Sequence, residues 1–232
     1  CQINFRFMSF IFKDIQEATF FFKLGNYSIE FENLAELPFL NSLQSSYIQS
    51  NFGSLFYSFV RKLKPRLCIE LGVLSGYSLF SSALGLQKNM HGKIIGIDLF
   101  EDYEYKNDTF LNVTSRINEL KLNNTCTLLQ GSAFDPKLPS YKPNFLHVDL
   151  SNHGETIEKI FESWASVVQE CIFFEGGSPQ RDNVQWMEEY GKLPMDPVFK
   201  KFSSDPRFKD WEFYRVDSFP SMSICLRSKP GS

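Results

Sequence analysis

From Arg66 to Arg227 short apolar runs alternate with amphipathic stretches, and no other feature constrains the fold of this chain as much. Arg66–Leu71, Lys93–Asp98 (KIIGID), Cys126–Gln130, Asn144–Asp149 (NFLHVD) and Cys171–Glu175 (CIFFE) read as five strands. Between them lie Tyr77–Leu86, Thr109–Lys121 and Glu155–Gln169, which read as helices. The second carries Phe110, Val113, Ile117 and Leu120 on one face, with Asn107 or Asp108 expected as its cap. The third carries Ile157, Ile160, Phe161, Trp164 and Val168. Strands that are apolar on both faces need cover on both, and intervening helices supply it. The pattern predicts an α/β fold with a doubly wound, mostly parallel sheet. Trp211–Asp217 and Met222–Arg227 alternate more clearly and flank Ser218-Phe219-Pro220-Ser221. They read as a closing pair with at least one strand antiparallel, giving seven strands with an antiparallel terminal strand.

The segment before this alternation has a different texture. Asn41–Lys62 places Leu43, Tyr47, Ile48, Phe52, Leu55, Phe56, Phe59 and Val60 at a spacing that suits one helix or two short ones. Lys64-Pro65 closes it, because proline cannot continue the helical ladder. The expected organisation is a helical N-terminal extension over residues 1–62, acting as a lid, and a main domain over 63–230. A chain of 232 residues with 43 % hydrophobic and 22 % charged residues has the composition of an ordinary globular domain. Its net charge of −3 and the lack of a basic run argue against nucleic acid as a partner. Phe5–Phe22 is apolar, but Arg6, Lys13, Asp14 and Glu17 would be costly in hydrocarbon, so it is rejected as a membrane span. It also lacks the shape of a signal peptide. Cys1, Cys68, Cys126, Cys171 and Cys225 include no CxxC pair. Four lie in or beside strands, which predicts small buried thiols and a reducing, cytoplasmic setting. The chain starts on Cys rather than Met, as a piece of a longer chain would; a homo-oligomer is equally compatible.

The most informative segment is Cys68-Ile-Glu-Leu-Gly-Val-Leu-Ser-Gly-Tyr-Ser78, where the first strand becomes the first helix. Ligands of open α/β sheets bind at this edge. Gly72 and Gly76 let the backbone turn sharply and approach a ligand. Leu74 stands where a dinucleotide-binding loop would have its second glycine, which counts against a pyrophosphate cradle. Asp98 ends the next strand, 22 residues beyond Gly76. A carboxylate there can accept both hydroxyls of a ribose.

Glu70, Gly72, Gly76, Ser78 and Asp98 together resemble the first motif of class I S-adenosylmethionine-dependent methyltransferases, E-x-G-x-x-x-G-x-S followed by an acidic end to the second strand. The resemblance implies a Rossmann-like fold over about residues 60–228 and S-adenosylmethionine as cofactor. It implies that the glycines line the cofactor's methionine part, that Glu70 steadies that region and that Asp98 holds the ribose. Gln130-Gly131-Ser132-Ala133-Phe134 is similar to the family's adenine-contacting loop, although Ser132 stands where an Asp is common.

Methyl transfer to a hydroxyl needs the acceptor aligned with the methyl group and its proton removed by a base or a metal. The candidates are Asp149, Asn152, His153 and Glu175, at the ends of the fourth and fifth strands. Asp149-Leu-Ser-Asn-His153 resembles the corresponding loop of O-methyltransferases acting on small molecules and sugars. That implies a small-molecule or carbohydrate acceptor, with Asp149 also beside the cofactor. In metal-dependent relatives such strand ends hold Mg²⁺, and Asp149 and Glu175 match two ligand positions; Leu150 and Gly176 stand at others. His153 has a suitable pKa for a base. Arg181 and Asp182, after Gly176-Gly177-Ser178, could pair or bind a polar acceptor, or the stretch could be a pinned loop leading into a helix near Asp182. Two other readings stay open: a non-catalytic cofactor-binding or scaffolding domain, and a nicotinamide-dependent oxidoreductase, which the GxxxG spacing disfavours.

Overall fold

A computed structural model describes residues 6–8, 20–24, 27–34, 38–103 and 108–228. Cys1, Asn107 and most of Phe5–Phe22 lie outside the described residues. The chain divides into two compact units: Lys13–Leu138, here the N-terminal unit, and Cys1–Phe12 with Pro139–Ser232, the C-terminal unit. The boundary expected at residue 62 falls inside a helix of the N-terminal unit.

The first described strand, β1 (Arg6–Met8), runs parallel to Tyr214–Val216 in the C-terminal unit. The N-terminal unit opens with an antiparallel hairpin of β2 (Phe20–Leu24) and β3 (Tyr27–Phe31). The N-terminal extension, expected to be helical, therefore holds strands as well as helices. In β3 exposed Ser28 and Glu30 flank buried Ile29, and a period of two suits a half-covered strand rather than a helix. Helix α1 (Pro38–Asn41), a 3₁₀ turn over Ser46–Ser50 and helix α2 (Phe52–Leu63) follow. Lys64 ends α2 in a left-handed conformation just ahead of Pro65. Phe52, Leu55, Phe56, Phe59 and Val60 are all buried, each contributing about 1.5–3 kcal/mol. Ser54 and Ser58 of α2 are buried too. Their hydroxyls accept the backbone N–H groups of Leu34 (2.6 Å) and Glu32 (2.8 Å), so the segment leaving β3 is tied to α2.

Three parallel strands then alternate with two helices. They are β4 (Leu67–Leu71), α3 (Tyr77–Asn89), β5 (Lys93–Asp98), α4 (Phe110–Glu119) and β6 (Cys126–Gln130). The ladder sets Ile69 beside Ile95 and Gly96 beside Leu128. Thr109, not Asn107 or Asp108, caps α4; its hydroxyl accepts from the Asn112 N–H at 3.2 Å. Asp108 is instead engaged by Arg116 and by the Thr109 N–H.

The C-terminal unit holds β7 (Phe145–Val148), α5 (Gly154–Trp164), β8 (Cys171–Glu175), α6 (Pro179–Asp182), α7 (Gln185–Glu189), α8 (Asp196–Ser204), β9 (Trp211–Val216) and β10 (Met222–Arg227). Strand β7 is parallel to β8. Strand β10 lies between β8 and β9, antiparallel to both. The seven strands β4 to β10 are those expected from the sequence, with β10 the antiparallel member. Phe161 of α5 anchors this core. Its ring stacks on Phe202 at 4.5 Å and meets Phe208, Trp211 and Phe213 between 4.8 and 5.7 Å. Cys68, Cys126, Cys171 and Cys225 are buried free thiols, as anticipated. Among the described residues no helix is long and apolar enough to cross a membrane.

Candidate functional site

The candidate residues divide between the units. Glu70, Gly72, Gly76, Ser78, Asp98, Ser132 and Ala133 belong to the N-terminal unit; Asp149, Asn152, His153 and Glu175 belong to the C-terminal one.

In the N-terminal unit the loop from β4 to α3 is bent through left-handed conformations at Gly72 (φ 85°), Leu74 (φ 52°) and Gly76 (φ 93°). A Cβ on Gly76 would stand 2.5 Å from the Phe80 ring, so the position needs glycine for space as well as for φ. The loop is held from three sides. Asp98 Oδ2 accepts the backbone N–H groups of Val73 (2.5 Å) and Leu74 (3.1 Å), while Oδ1 accepts that of Phe100 at 2.7 Å. Ser75 Oγ donates to the Gln44 carbonyl at 2.6 Å. Arg116 of α4 donates to the Ser75 carbonyl at 3.2 Å. Burial pushes the Asp108 carboxyl up, but hydrogen bonds from Arg116, Thr109 and Asn112 outweigh it and leave the pKa lowered, so the group that orients Arg116 stays charged.

Asp98 thus has a structural duty that the sequence did not reveal. A carboxylate offers about four lone-pair sites. Three backbone donors use three of them, so one is left for a further donor. Glu70 and Ser78 are both buried, and Ser78 Oγ donates to Glu70 Oε1 at 2.9 Å, tying the end of β4 to the first turn of α3. Ser78 is thus the partner of Glu70. In the loop after β6, Ala133 is buried and exposed Ser132 accepts the Phe134 N–H at 3.2 Å. A Cβ on Gly131 would meet nothing within 4 Å. Leu74, Leu99 and Phe134, in the loops that follow β4, β5 and β6, expose 39 %, 38 % and 54 % of their surface. Exposed apolar side chains in the loops at the ligand edge, open space at Gly131 and a spare acceptor on Asp98 fit an adenosine. Phe134 lies in the loop already likened to an adenine-contacting one, whereas Leu99 had no motif to flag it; a hydrophobic residue just past the strand's acidic end was the available signal.

In the C-terminal unit, Glu175 ends β8 and is buried. Arg181 Nε donates to its Oε1 at 3.2 Å. Burial pushes the Glu175 carboxyl up to about 8, and the negative charge of Asp149 adds to this, while Arg181 and a hydrogen bond from Asn152 act the other way. Asp149, Asn152, Glu175 and Arg181 therefore form one electrostatic group. Arg181 does not pair with Asp182. Asp182 instead accepts the N–H groups of Met195 (2.9 Å) and Asp196 (2.7 Å). His153 caps α5, its Nδ1 accepting the Glu155 N–H at 3.4 Å, which occupies one ring nitrogen of the proposed base.

The stretch after Glu175 is a pinned loop that turns into α6 earlier than expected, with Ser178 as its cap. Gly176 and Gly177 have φ of 90° and 97°. The Gly177 carbonyl accepts from Arg215, which also pairs with buried Asp196 at 2.6 Å, and the Gly176 carbonyl accepts from Ser223.

With Arg181 in place the pair Asp149 and Glu175 does not fit a divalent cation: Glu175 is already committed to a guanidinium, and with Leu150 and Gly176 adding no side-chain donor an ion would have to draw its other ligands from water. Among the described residues no group of three or more His, Cys, Asp or Glu side chains is placed to hold a metal.

Comparison with known proteins agrees with the loop. Residues 69–171 match the model of a methyltransferase domain. The O-methyltransferase TomG from Streptomyces achromogenes, involved in tomaymycin synthesis and solved with SAM, superposes with a TM-score of 0.60 at 16 % identity, over 85 % of this chain and 87 % of that one. An O-methyltransferase from Bacillus cereus in complex with SAH gives 0.60 at 14 % identity, over 84 % and 87 %. The SAH-bound Podospora anserina methyltransferase PaMTH1 gives 0.59 at 16 % identity, over 80 % of each chain. Residues 69–171 thus match a methyltransferase domain, and the chain has the Rossmann-like fold seen in these methyltransferases.

Proposed function

We propose that this protein transfers the methyl group of S-adenosylmethionine to a hydroxyl of a small molecule or carbohydrate. The observation that carries the reading is the glycine loop, held in a ligand-ready shape by Asp98, Gln44 and Arg116 inside a methyltransferase domain. Such prior fixing lowers the cost of ordering a loop around a ligand. The bound cofactor supplies an electrophilic methyl group on a sulfonium. Gly72 and Gly76 give its methionine part room beside the backbone, the remaining lone pair of Asp98 accepts a ribose hydroxyl, and Leu99 and Phe134 offer apolar surface to the base.

The acceptor side falls to the C-terminal unit. The hydroxyl proton passes to Glu175, whose raised pKa makes it a stronger base than an ordinary carboxylate. Asp149 maintains that basicity through its charge, and Asn152 hydrogen-bonds the carboxylate and orients it. The N-cap duty of His153 leaves it a positioning role at the start of α5. Oxygen rather than nitrogen or carbon as the target is supported by the O-methyltransferases among the similar folds. Four buried, unbridged cysteines favour a reducing compartment.

The experiment is incubation of the purified chain with methyl-labelled S-adenosylmethionine and a cell-extract metabolite pool, read by mass spectrometry. Label in an O-methyl group of one product class is expected. Label confined to N-methyl products, or none in any metabolite while the cofactor binds normally, would contradict it.

A further inference from the structure

Arg181 stands out as a buried guanidinium beside a buried carboxylate. It is 7 % exposed, and among the described residues its ion pair is with Glu175, itself 4 % exposed. Its Cζ lies 4.8 Å from the centroid of the Trp186 ring and 5.8 Å from that of Phe219. A short helix fixes it from behind: its own N–H is bound by the Ser178 cap at 3.1 Å. Yet Arg181 Nη1 and Glu175 Oε2 are both buried with no hydrogen-bond partner among the described residues. Buried polar atoms are nearly always satisfied, and an exception beside a reactive carboxylate calls for a ligand. A guanidinium keeps its charge at any working pH, so a full positive charge sits permanently against Glu175.

We propose that Arg181 serves the Asp149–Glu175 carboxylates as a fixed cation in place of a divalent metal, and that its Nη1 donates to the acceptor's hydroxyl oxygen. The inference rests on the O-methylation reading and adds to it the source of positive charge. In the step it serves, the O–H bond breaks and its proton goes to Glu175. The oxygen's electron pair forms the new O–CH₃ bond, and the methyl–sulfur bond breaks with its pair returning to sulfur. Arg181 stabilises the negative charge that grows on oxygen as the proton leaves. The acceptor class is accordingly a hydroxyl whose oxyanion one hydrogen bond can steady, such as a phenol or an enol. Trp186 and Phe219 already lie against the guanidinium and offer apolar contact to such a ring.

The test uses Mn²⁺ as probe, by isothermal titration and electron paramagnetic resonance on the full chain, with S-adenosylmethionine affinity measured in parallel. Wild type and Arg181→Lys are expected to bind no Mn²⁺ at 1 mM, on the order of the weakest protein sites for such ions. Arg181→Met, which frees Glu175 beside Asp149, is expected to gain a site at least about tenfold tighter than that, and Arg181→Met/Glu175→Gln to lose it. Mn²⁺ binding by wild type that Glu175→Gln abolishes overturns the proposal, and so does a folded Arg181→Met that gains no site. If Arg181→Met does not fold by circular dichroism, the wild-type and Glu175→Gln titrations decide alone. Loss of S-adenosylmethionine binding would instead count against the methyltransferase reading, so the two failures are distinct.

Discussion

Replacing Asp98 by Asn keeps the side chain's size but leaves one acceptor oxygen where there were two. Three backbone N–H groups now reach the carboxylate, two on Oδ2 and one on Oδ1. With the amide oxygen toward Val73 and Leu74, the NH₂ group faces the Phe100 N–H; turned over, it faces the other two. At least one charge-assisted bond is lost, at about 1.5–3 kcal/mol. For a chain of this length each kcal/mol shifts the melting temperature by about 2–4 °C, so Asp98→Asn should melt about 3–12 °C lower. The remaining lone pair is the proposed ribose acceptor, and its loss should weaken S-adenosylmethionine binding by a similar energy, about 10–150-fold in Kd. Scanning calorimetry and isothermal titration read the two effects separately. Weaker binding with unchanged melting would refute the loop clamp. Lower melting with normal affinity of the folded fraction would refute ribose contact.

Three further outcomes follow from the same geometry. Ser78→Ala removes the donor to buried Glu70 and should lower stability by about 1–3 kcal/mol, with little change in the cofactor Kd of the folded protein; a large loss of affinity at unchanged stability would make Ser78 a direct contact. Phe161→Ala empties the aromatic core of the C-terminal unit and should lower stability by about 3–5 kcal/mol in denaturant titration; a loss under about 1 kcal/mol would mean the ring cluster packs loosely. Glu175 keeps its proton in the folded chain up to about 8, whereas in the unfolded chain it ionises near the ordinary value of 4.5. The unfolded state therefore binds fewer protons across that window, and wild-type stability should fall as pH rises through it. Glu175→Gln should flatten this slope and lose the rising limb of the pH–rate curve with a midpoint near pH 8. An identical slope in the variant would place the titration elsewhere.

What the sequence conveyed follows from what is local. Strands β5, β6, β8 and β10 match the expected bounds, because an apolar run between turn residues is a property of neighbouring positions. Helix α8 was missed, although Pro197 sits in its first turn, since Asp196–Ser204 has few apolar residues and its packing on β9 is long-range. The hairpin of β2 and β3 is not legible in the sequence, because phenylalanine-rich runs fit a helical or a strand period alike. Within each unit the glycines and the carboxylates that end strands were legible, since a turn residue or an acid closing an apolar run is a local signal. Partners were not. Arg181 reaches back six positions to Glu175, and Arg116 reaches Ser75 from 41 residues away. His153 looked like a base because its chemistry is visible in sequence, and its capping bond is not.

The central claim is that the glycine loop takes S-adenosylmethionine and not a dinucleotide. Isothermal titration of the full chain with S-adenosylmethionine, with S-adenosylhomocysteine and with NAD tests it most directly. The account predicts one site for each sulfur-containing ligand, weakened in Asp98→Asn, and no heat from NAD. Saturable NAD binding with none for S-adenosylmethionine would contradict it.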